Sequence, residues 1–297
     1  MDDRKLLSPL YSGLRNTIPP GRFLGTKTPQ PPLDEQTAIV RFLDHANGQI
    51  DKAIRAKKKL ISLLNEEKQA IIHRAVTRGL DPNVKLKPSG IPWLGDIPKH
   101  WEIVTVGAAT TMIQTGPFGS QLHSHEYVTG GIPIINPSHL ANGRITPSQE
   151  ITISEAKVCE LERHKLRTGD IVVARRGELG RCALVTSAED GWICGTGSLL
   201  IRFKHSMFVP AYFQKVFSSR YVSDLLSLSS IGATMANLNA GMVARLRMPL
   251  PSEDEQERIV RFIEENNQIA EHAINRTERE ISLLREFRTR LTADVVT

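Results

Sequence analysis

Two stretches of the chain, residues 34–77 and 254–297, carry the same sequence pattern at a constant offset of 220 residues. The triplet DEQ and the segments IVRF and ISLL recur in register, and the two stretches align without a gap from end to end. A repeat of this length indicates a duplicated structural unit. The function is therefore expected to depend on what the two copies do together.

Each copy is predicted to form one long helix. Pro31 and Pro32 suit the approach to a helix but not its interior, and the acidic pair Asp34-Glu35 is favourable at the positive end of the helix dipole. Gly79 is a typical stop signal. At a rise of about 1.5 Å per residue, roughly 45 residues give a rod on the order of 65 Å. This is far longer than the helices of most globular cores.

Apolar residues recur every three or four positions along both copies, which is typical of a coiled-coil seam. The predicted seam of the first copy is Ile39, Leu43, Ala46, Ile50, Ala53, Leu60, Leu64 and Ile71. That of the second copy is Ile259, Ile263, Ala270, Ala273, Leu284, Phe287 and Leu291. As helix-pairing residues we take Leu43, Ile50, Leu64, Ile263, Leu284 and Leu291.

The two copies carry opposite charge. Residues 34–78 hold nine Lys and Arg against six Asp and Glu, a net charge of +3, whereas residues 254–297 hold seven against ten, a net charge of −3. Because flanking charges select the partner of a paired helix, the two copies are expected to pair with each other. Two solvated helical arms that never meet remain the alternative.

Composition limits the class of protein. At 297 residues, with 40% apolar and 24% charged residues, the chain suits a soluble protein of two modules. No apolar run approaches the roughly 20 residues of a membrane span, so we expect a cytoplasmic protein. Cys159, Cys182 and Cys194 lack metal-site spacing and are expected to be reduced thiols. The net charge of +6 permits a polyanionic partner without proving one.

Between the two predicted helices the pattern changes to short apolar runs separated by Gly, Pro and Asn. The runs EIVTV, GIPIIN, DIVVAR, RCALVT and SLLIRF are predicted strands, and a helical stretch follows from Pro210 to about Leu228. The predicted fold is therefore a mixed α+β domain, whose strand order the pattern cannot fix. The predicted order along the chain is a domain remnant (1–30), helix 1 (31–79), a linker (80–98), the domain (99–251) and helix 2 (252–297).

Three segments together resemble a known family. They are PPLDEQ with the helix that follows it, AVTRGLDPNVKLKPSGIPWLGDIPKHWE in the linker, and TGPFGSQLHSHEYVTGGIPIINPSHL in the domain. They are similar to the specificity (S) subunit of type I restriction-modification systems. The resemblance implies target-recognition domains that each read one half of a split DNA sequence, and two conserved long helices that pair as an antiparallel coiled coil.

The resemblance also implies partners. Double-stranded DNA, methyltransferase (modification) subunits and an ATP-dependent restriction subunit are expected to bind, with S-adenosylmethionine and ATP held by those subunits and no cofactor on this chain. The modification subunits are expected on the helices and on the entry segments Gln30–Ile39 and Met248–Ile259. The first recognition domain is expected to be missing except for residues 1–30. A non-functional truncated remnant and a subunit that dimerises, with itself or with another half-specificity subunit, both remain open.

The sequence lacks signs of catalysis. We find no GxxxxGK[ST] phosphate loop, no GxGxxG after a strand and no Asn/Asp-Pro-Pro-Tyr/Phe methylation motif. Gly177-Glu178-Leu179-Gly180 and Gly195-Thr196-Gly197 are predicted hairpin turns. The cluster His123-Ser124-His125 lacks carboxylates at ligand spacing, which favours a polar loop over a metal site.

Reading DNA requires amides and guanidinium groups at base edges and hydroxyl, amide or basic groups at phosphates. The candidate DNA-binding residues that meet this requirement are Gln114, Ser120, Gln121, Asn136, Ser138, His139, Arg175, Arg176, Arg181, Asn237 and Asn239. Solvated arginines and polar turn residues are the structural alternative for each.

The predicted function is thus a non-catalytic, sequence-specific DNA-recognition subunit. Two other classes stay open at this point. One is a structural coiled-coil adaptor that does not read DNA, and the other, which the missing acidic metal cluster disfavours, is a self-sufficient nuclease.

Overall fold

A computed structural model describes residues 18–25, 30–177, 179–204, 207–228 and 237–296. The chain forms two compact units. One contains the described residues up to Ile61 together with those from Ile274 onwards, and the other is Ser62–Ala273.

Helices and short strands alternate along the chain. The helices are α1 (Pro20–Leu24), α2 (Leu33–Arg78), α3 (Val106–Ala109), α4 (Glu155–Glu160), α5 (Pro210–Phe217), α6 (Arg220–Leu228), α7 (Ala240–Arg245) and α8 (Glu253–Val296). The strands are β1 (Leu86–Pro88), β2 (Asp96–Pro98), β3 (Glu102–Thr105), β4 (Thr110–Thr115), β5 (Tyr127–Val128), β6 (Ile132–Ile135), β7 (Leu140–Ala141), β8 (Arg144–Ile145), β9 (Thr152–Ile153), β10 (Ile171–Ala174), β11 (Cys182–Leu184), β12 (Ile193–Cys194), β13 (Ser198–Phe203) and β14 (Arg247–Leu250). The mixture of sheet with two helices of 46 and 44 residues confirms the predicted α+β class.

In the first unit α2 packs against α8 in the opposite direction. Lys57 forms an ion pair with Glu280, and Asp51 with Arg288, so that residue numbers rise along one helix as they fall along the other. A small apolar cluster lies between the helices, and its members are Ile50, Ile54, Ile61, Ile281 and Leu284. The predicted antiparallel pairing is therefore present.

The predicted seam is wrong at Leu60 and at Phe287, and Phe287 is 55% exposed. Leu60 was assigned to the seam, but its side chain is 45% exposed, and Ile61 packs in the cluster instead. The heptad spacing places Lys57 between Ile54 and Ile61, and the aliphatic stem of a lysine can cover apolar surface while its ammonium group reaches Glu280. The predicted Ala53 and Leu60 each lie one position before a residue of the cluster, Ile54 and Ile61, because apolar residues are adjacent at both places and spacing alone does not choose between them.

An ion pair between equivalent positions of the repeat occurs once in each unit. Lys68 pairs with Glu271 at 3.1 Å in the second unit, and the residues at the corresponding repeat positions are Arg288 and Asp51, which pair at 3.0 Å in the first. The duplicated sequence thus conserves the charge pattern across the helix pair as well as its apolar positions.

The second unit is built around two four-stranded sheets. The first has the order β11-β10-β13-β4 and is antiparallel throughout, and the second has the order β12-β6-β9-β5 with one parallel pair, β12 with β6. Two-stranded pairs β1-β2, β3-β14 and β7-β8 complete it. The five predicted strands correspond to β3, β6, β10, β11 and β13.

Strand β10 is buried on both faces of its sheet. Ile171 and Val173 belong to the largest apolar cluster, whereas Val172 and Ala174 belong to a second cluster on the other side. The largest cluster also holds Trp101, Tyr212, Phe213 and Phe217, together with Ile72, Ala75 and Val76 of α2 and Ile259, Val260 and Ile263 of α8. The end of α2 and the start of α8 are therefore part of the domain's core.

The predicted boundaries can be compared with the observed elements. The predicted linker 80–98 contains the β1-β2 hairpin, whose Ile97 is buried in the main core. Residues 1–17 and 26–29 of the predicted domain remnant lie outside the described residues, as does Glu178 of one predicted hairpin turn. Helix α1 occupies the repeat position of α7, because Pro20 corresponds to Ala240.

No helix within the described ranges is both long and apolar enough to cross a membrane.

The seam can be tested by truncating two side chains of α2. Ile54 is 7% exposed and Leu60 is 45% exposed. We expect Ile54→Ala to lower the free energy of unfolding by about 2–5 kcal/mol, because it leaves a cavity between the helices. Leu60→Ala is the matched control and should change the free energy of unfolding by about 0.5 kcal/mol or less. Urea denaturation followed by far-ultraviolet circular dichroism measures both, and equal losses would contradict the revised seam.

Candidate nucleic-acid interface

Several strand ends meet around the turn Gly195-Thr196-Gly197. The hairpin predicted there is wrong, because this turn joins β12 to β13, which belong to different sheets. The amide of Gly116, after β4, donates to the carbonyl of Ser198 at 3.0 Å. The amide of Gly195 donates to Ile135, at the end of β6, at 2.9 Å. The amide of Arg175, after β10, donates to Gly197 at 2.9 Å. The segments that follow β4, β6 and β10 are thereby brought to one edge of the domain.

The backbones at this edge approach too closely for side chains. A Cβ atom added at Gly116 would lie 1.8 Å from the carbonyl oxygen of Gly195, and one added at Gly195 would lie 2.2 Å from Oδ1 of Asn136. At Gly195 the added Cβ would also lie 2.8 Å from the carbonyl oxygen of Ile135, so at both positions a Cβ would collide with backbone and glycine is required. Hydrogen bonds and close backbone packing together fix the base from which the polar side chains of this edge project.

Arg175 is a structural residue of this edge. Its Nε donates to the carbonyl of Leu238 at 3.0 Å and its Nη1 to that of Thr196 at 3.5 Å, while the amide of Leu238 donates back to the carbonyl of Arg175 at 2.9 Å. Burial, with the charge of Arg176 nearby, lowers the pKa of the Arg175 guanidinium. Arg175 therefore ties the segment before α7 to the end of β10.

The other two candidate arginines have different surroundings. Arg176 is exposed next to Arg175. Arg181 is half-buried and lines a cavity of about 290 Å³ whose walls include Lys68, Gln214 and Asn267. Arg175 thus holds two segments together, Arg176 faces solvent, and Arg181 lines a cavity. Among them Arg176 is the one best placed to contact a ligand.

The loop after β4 exposes three side chains in a row. Phe118, Ser120 and Gln121 all face solvent, and the Gln121 amide side chain accepts a hydrogen bond from the amide of Phe118 at 3.2 Å. Gln114, on β4 itself, is half-buried, and its Nε2 donates to the carbonyl of Thr115. The loop therefore presents Ser120 and Gln121 outward, whereas Gln114 lies behind it.

The segment after β6 contributes one exposed and two more sheltered residues. Ser138 is exposed, Asn136 is half-buried and His139 is 6% exposed. The amide of Asn136 donates to Nδ1 of His139 at 3.3 Å. Burial lowers the pKa of His139, against a smaller opposing effect of a hydrogen bond with the backbone of Ile134. His139 therefore stabilises its own turn.

Asn237 and Asn239 are both exposed in the segment that Arg175 holds. Asn239 caps α7, because its Oδ1 accepts from the amide of Met242 at 2.9 Å. The structure thus brings the segments of Gln114, Asn136, Arg175 and Asn237 together at one edge. Whether the individual side chains contact DNA stays a prediction.

The six predicted helix-pairing residues lie in both units. Ile50 and Leu284 share the apolar cluster of the first unit. Leu43, Leu64 and Leu291 are half-buried, and Ile263 is fully buried in the main core of the second unit.

The charge of residues 99–251 suits a polyanion. This segment contains fifteen Lys and Arg against eleven Asp and Glu, a net charge of +4. Some of these charges are committed to structure, since Arg202 forms a 2.7 Å ion pair with buried Asp170. A net positive charge is compatible with a polyanionic partner.

Metal chemistry has no evident site in this part of the molecule. The rings of His123 and His125 stack with centroids 5.5 Å apart, but Glu126 pairs with Lys157. Among the described residues there is no group of three or more His, Cys, Asp or Glu placed to hold a metal ion.

Sequence reasoning missed two features of this edge. Phe118 is not among the candidates, because the candidates are polar residues that can contact DNA and phenylalanine is apolar. Its place between Gly-Pro and Gly is the signal that could have found it, since phenylalanine is unusual in such a turn. The anchoring role of Arg175 left no signal, because its partners Thr196 and Leu238 are distant in sequence.

The buried histidine gives a pH-dependent prediction. Because burial lowers the folded-state pKa of His139, the unfolded chain binds more protons than the folded chain once the pH falls through about 6.5. Stability present above that pH is therefore lost on acidification. His139→Asn keeps an acceptor but does not titrate, so we expect its Tm to fall less than that of the wild type between about pH 7.5 and pH 5.5.

Scanning calorimetry at several pH values measures the difference. Ser138→Asn, on the same turn, is the control and should retain the wild-type pH dependence. Equal pH dependence in His139→Asn and the wild type would refute the assignment.

Comparison with known proteins identifies the family. The family model described as "Type I restriction modification DNA specificity domain" matches residues 98–279. The chain is 24% identical over 262 residues to the type I restriction enzyme MjaVIII specificity subunit of Methanocaldococcus jannaschii, covering 87% of this chain and 59% of that protein. It is 26% identical over 244 residues to the EcoBI specificity subunit of Escherichia coli, covering 81% and 51%.

Solved structures share the fold. A chain from a study of complex assembly and conformational transition of the type I R-M system matches with a TM-score of 0.74 at 18% identity, covering 96% of this chain and 66% of that chain. The HsdS subunit from Thermoanaerobacter tengcongensis matches with a TM-score of 0.54 at 16% identity, covering 99% and 66%.

The chain spans between half and two thirds of the length of these relatives. The family model matches more than half of the chain, over the α+β domain and the first part of α8. The chain therefore belongs to the type I restriction modification DNA specificity domain family.

Proposed function

We propose that this chain is a sequence-specific, non-catalytic DNA-recognition subunit of a type I restriction-modification complex, and that residues 99–251 read one half of a bipartite target. The observation that carries the proposal is the edge around Gly195-Thr196-Gly197. Separate segments of a basic domain project exposed amide, hydroxyl and guanidinium groups from one fixed base there. Groups of this kind bind phosphates and base edges.

We propose modification subunits as partners on the long helices. Both copies of the repeat expose apolar side chains at the same positions, namely Phe42 (51%) with Phe262 (40%) and Leu63 (47%) with Leu283 (56%). Exposed apolar positions retained in both copies favour a partner that binds each copy in the same way. In the entry segment Met248–Ile259 the residues Met248, Gln256 and Ile259 are buried in the domain. The exposed carboxylates of this segment, Glu253, Asp254 and Glu257, are available for contact.

The remaining partners follow from the same proposal. A restriction subunit joins the complex, ATP and S-adenosylmethionine are bound by the partner subunits, and the complex acts in the cytoplasm where its DNA lies. A second copy of the chain, or another half-specificity subunit, supplies the second half-site.

DNA binding can be tested at Arg176. A duplex pool selected by the wild-type chain with its modification subunit supplies the target. We expect Arg176→Ala to weaken binding to that target by about 1–3 kcal/mol. Equal weakening on random duplexes, with a salt slope smaller by about one, indicates a phosphate contact, whereas weakening on the target alone indicates a base contact.

Lys204→Ala is the matched control for charge. Lys204 directly follows β13, at the end of the strand that lies away from this edge. Its Nζ donates to the carbonyl of Ala108. Its loss should leave affinity unchanged. A wild-type chain that binds target and random duplexes alike, or neither, would instead support a structural adaptor.

Docking can be tested through the repeated phenylalanines. We expect Phe42→Ala and Phe262→Ala each to remove one bound modification subunit, and the double variant to remove both. Ile269→Ala is the control, because Ile269 is 70% exposed on α8 but its repeat counterpart is Gln49. Native mass spectrometry counts the bound subunits. Full occupancy of the double variant would place the docking surface elsewhere.

A further inference from the structure

Phe118 is an apolar side chain in a polar neighbourhood. It is 61% exposed, and in the described part of residues 99–251 Val128, at 41%, is the other large apolar side chain with high exposure. Single exposed apolar residues are common on protein surfaces, so exposure alone assigns no role. The position of Phe118 is what distinguishes it, since its loop leaves the edge where the candidate DNA-binding segments meet.

The base of the loop is fixed. Gly116 and Pro117 are buried, and the amide of Gly116 donates to the carbonyl of Ser198. Because the backbone of Gly116 lies directly against Gly195, the start of the loop cannot shift without disturbing the turn at residues 195–197. The Phe118 ring therefore begins from a defined point of the domain edge.

The tip of the loop is also cross-linked. The amide of Phe118 donates to Oε1 of Gln121 at 3.2 Å, and the amide of Gln121 donates back to the carbonyl of Phe118 at 3.4 Å. Gly119 adopts a positive φ of 62°, which allows the chain to reverse there, and a Cβ added at this position would have no neighbour within 4 Å. A loop that is already ordered loses little conformational entropy on binding.

The exposed groups of this loop and of the neighbouring segments suit a DNA backbone. Ser120 and Gln121 follow Phe118 and are exposed, and Ser138 and Arg176 are exposed on the neighbouring segments. Hydroxyl, amide and guanidinium groups can bind phosphates and base edges on either side of an aromatic ring. Apolar wedges such as phenylalanine enter base steps, where the cost of partial unstacking is offset by the contacts that the distorted duplex gains.

We propose that Phe118 inserts its ring between two adjacent base pairs of the bound half-site and partly unstacks that step. The inference rests on the proposed function, because it needs a duplex bound at this edge. It adds a specificity mechanism in which the energy of opening one step depends on its sequence. Flexible pyrimidine–purine steps cost least to open, so the half-site is expected to contain one at the position of the ring.

The test places 2-aminopurine at successive positions of the selected half-site duplex, since its fluorescence rises when it is unstacked. The wild-type chain, assembled with its modification subunit, should raise the fluorescence at one step. Phe118→Ala should abolish that rise and weaken binding about tenfold or more. Phe118→Leu keeps an apolar wedge and should retain most of the rise.

Val128→Ala is the control for loss of exposed apolar area and should behave as the wild type. If Phe118→Ala binds as tightly and raises the fluorescence as much as the wild type, the inference is overturned. It is also overturned if affinity falls while the fluorescence rise persists, because the ring then contacts DNA without opening a step. A wild-type chain that selects no duplex refutes the proposed function itself, which is a separate outcome.

Discussion

The side-chain amide of Gln256 joins the α+β domain to the start of α8. Its Oε1 accepts from the amide of Val209 at 2.8 Å, and its Nε2 donates to the carbonyls of Met207 and Pro251 at 3.0 Å each. The residue is 1% exposed, so these bonds lie away from competing water. Ile259 and Ile263 of the same helix complete the contact by packing in the main core. The start of α8 is therefore held to the domain by buried hydrogen bonds and by apolar packing together.

The repeat shows how one sequence pattern serves two environments. Gln36, the counterpart of Gln256, keeps the bond to the proline that precedes the helix, since its Nε2 donates to Pro31 at 2.7 Å. Val40 is 56% exposed, whereas its counterpart Val260 is 8% exposed. The local capping bond belongs to the helix itself and recurs, but burial depends on whether a domain packs against the residue.

This distinction explains what could be predicted from the sequence. Helix length, the five main strands and the antiparallel pair follow from local periodicity or from the family resemblance, and all are present in the fold. Strand order could not be derived, because the β10-β13 and β13-β4 pairings join segments far apart in sequence. For the same reason the candidate segments could be listed from their chemistry, but the anchoring role of Arg175 and the outward position of Phe118 could not.

The close approach of Gly116 and Gly195 has an evolutionary consequence. Because no side chain fits between these backbones, mutation cannot reshape the frame gradually. Side chains that project from it, such as Ser120 and Ser138, can be exchanged singly while the frame stays in place. The exposed polar groups of this edge can therefore vary one at a time on an unchanged backbone.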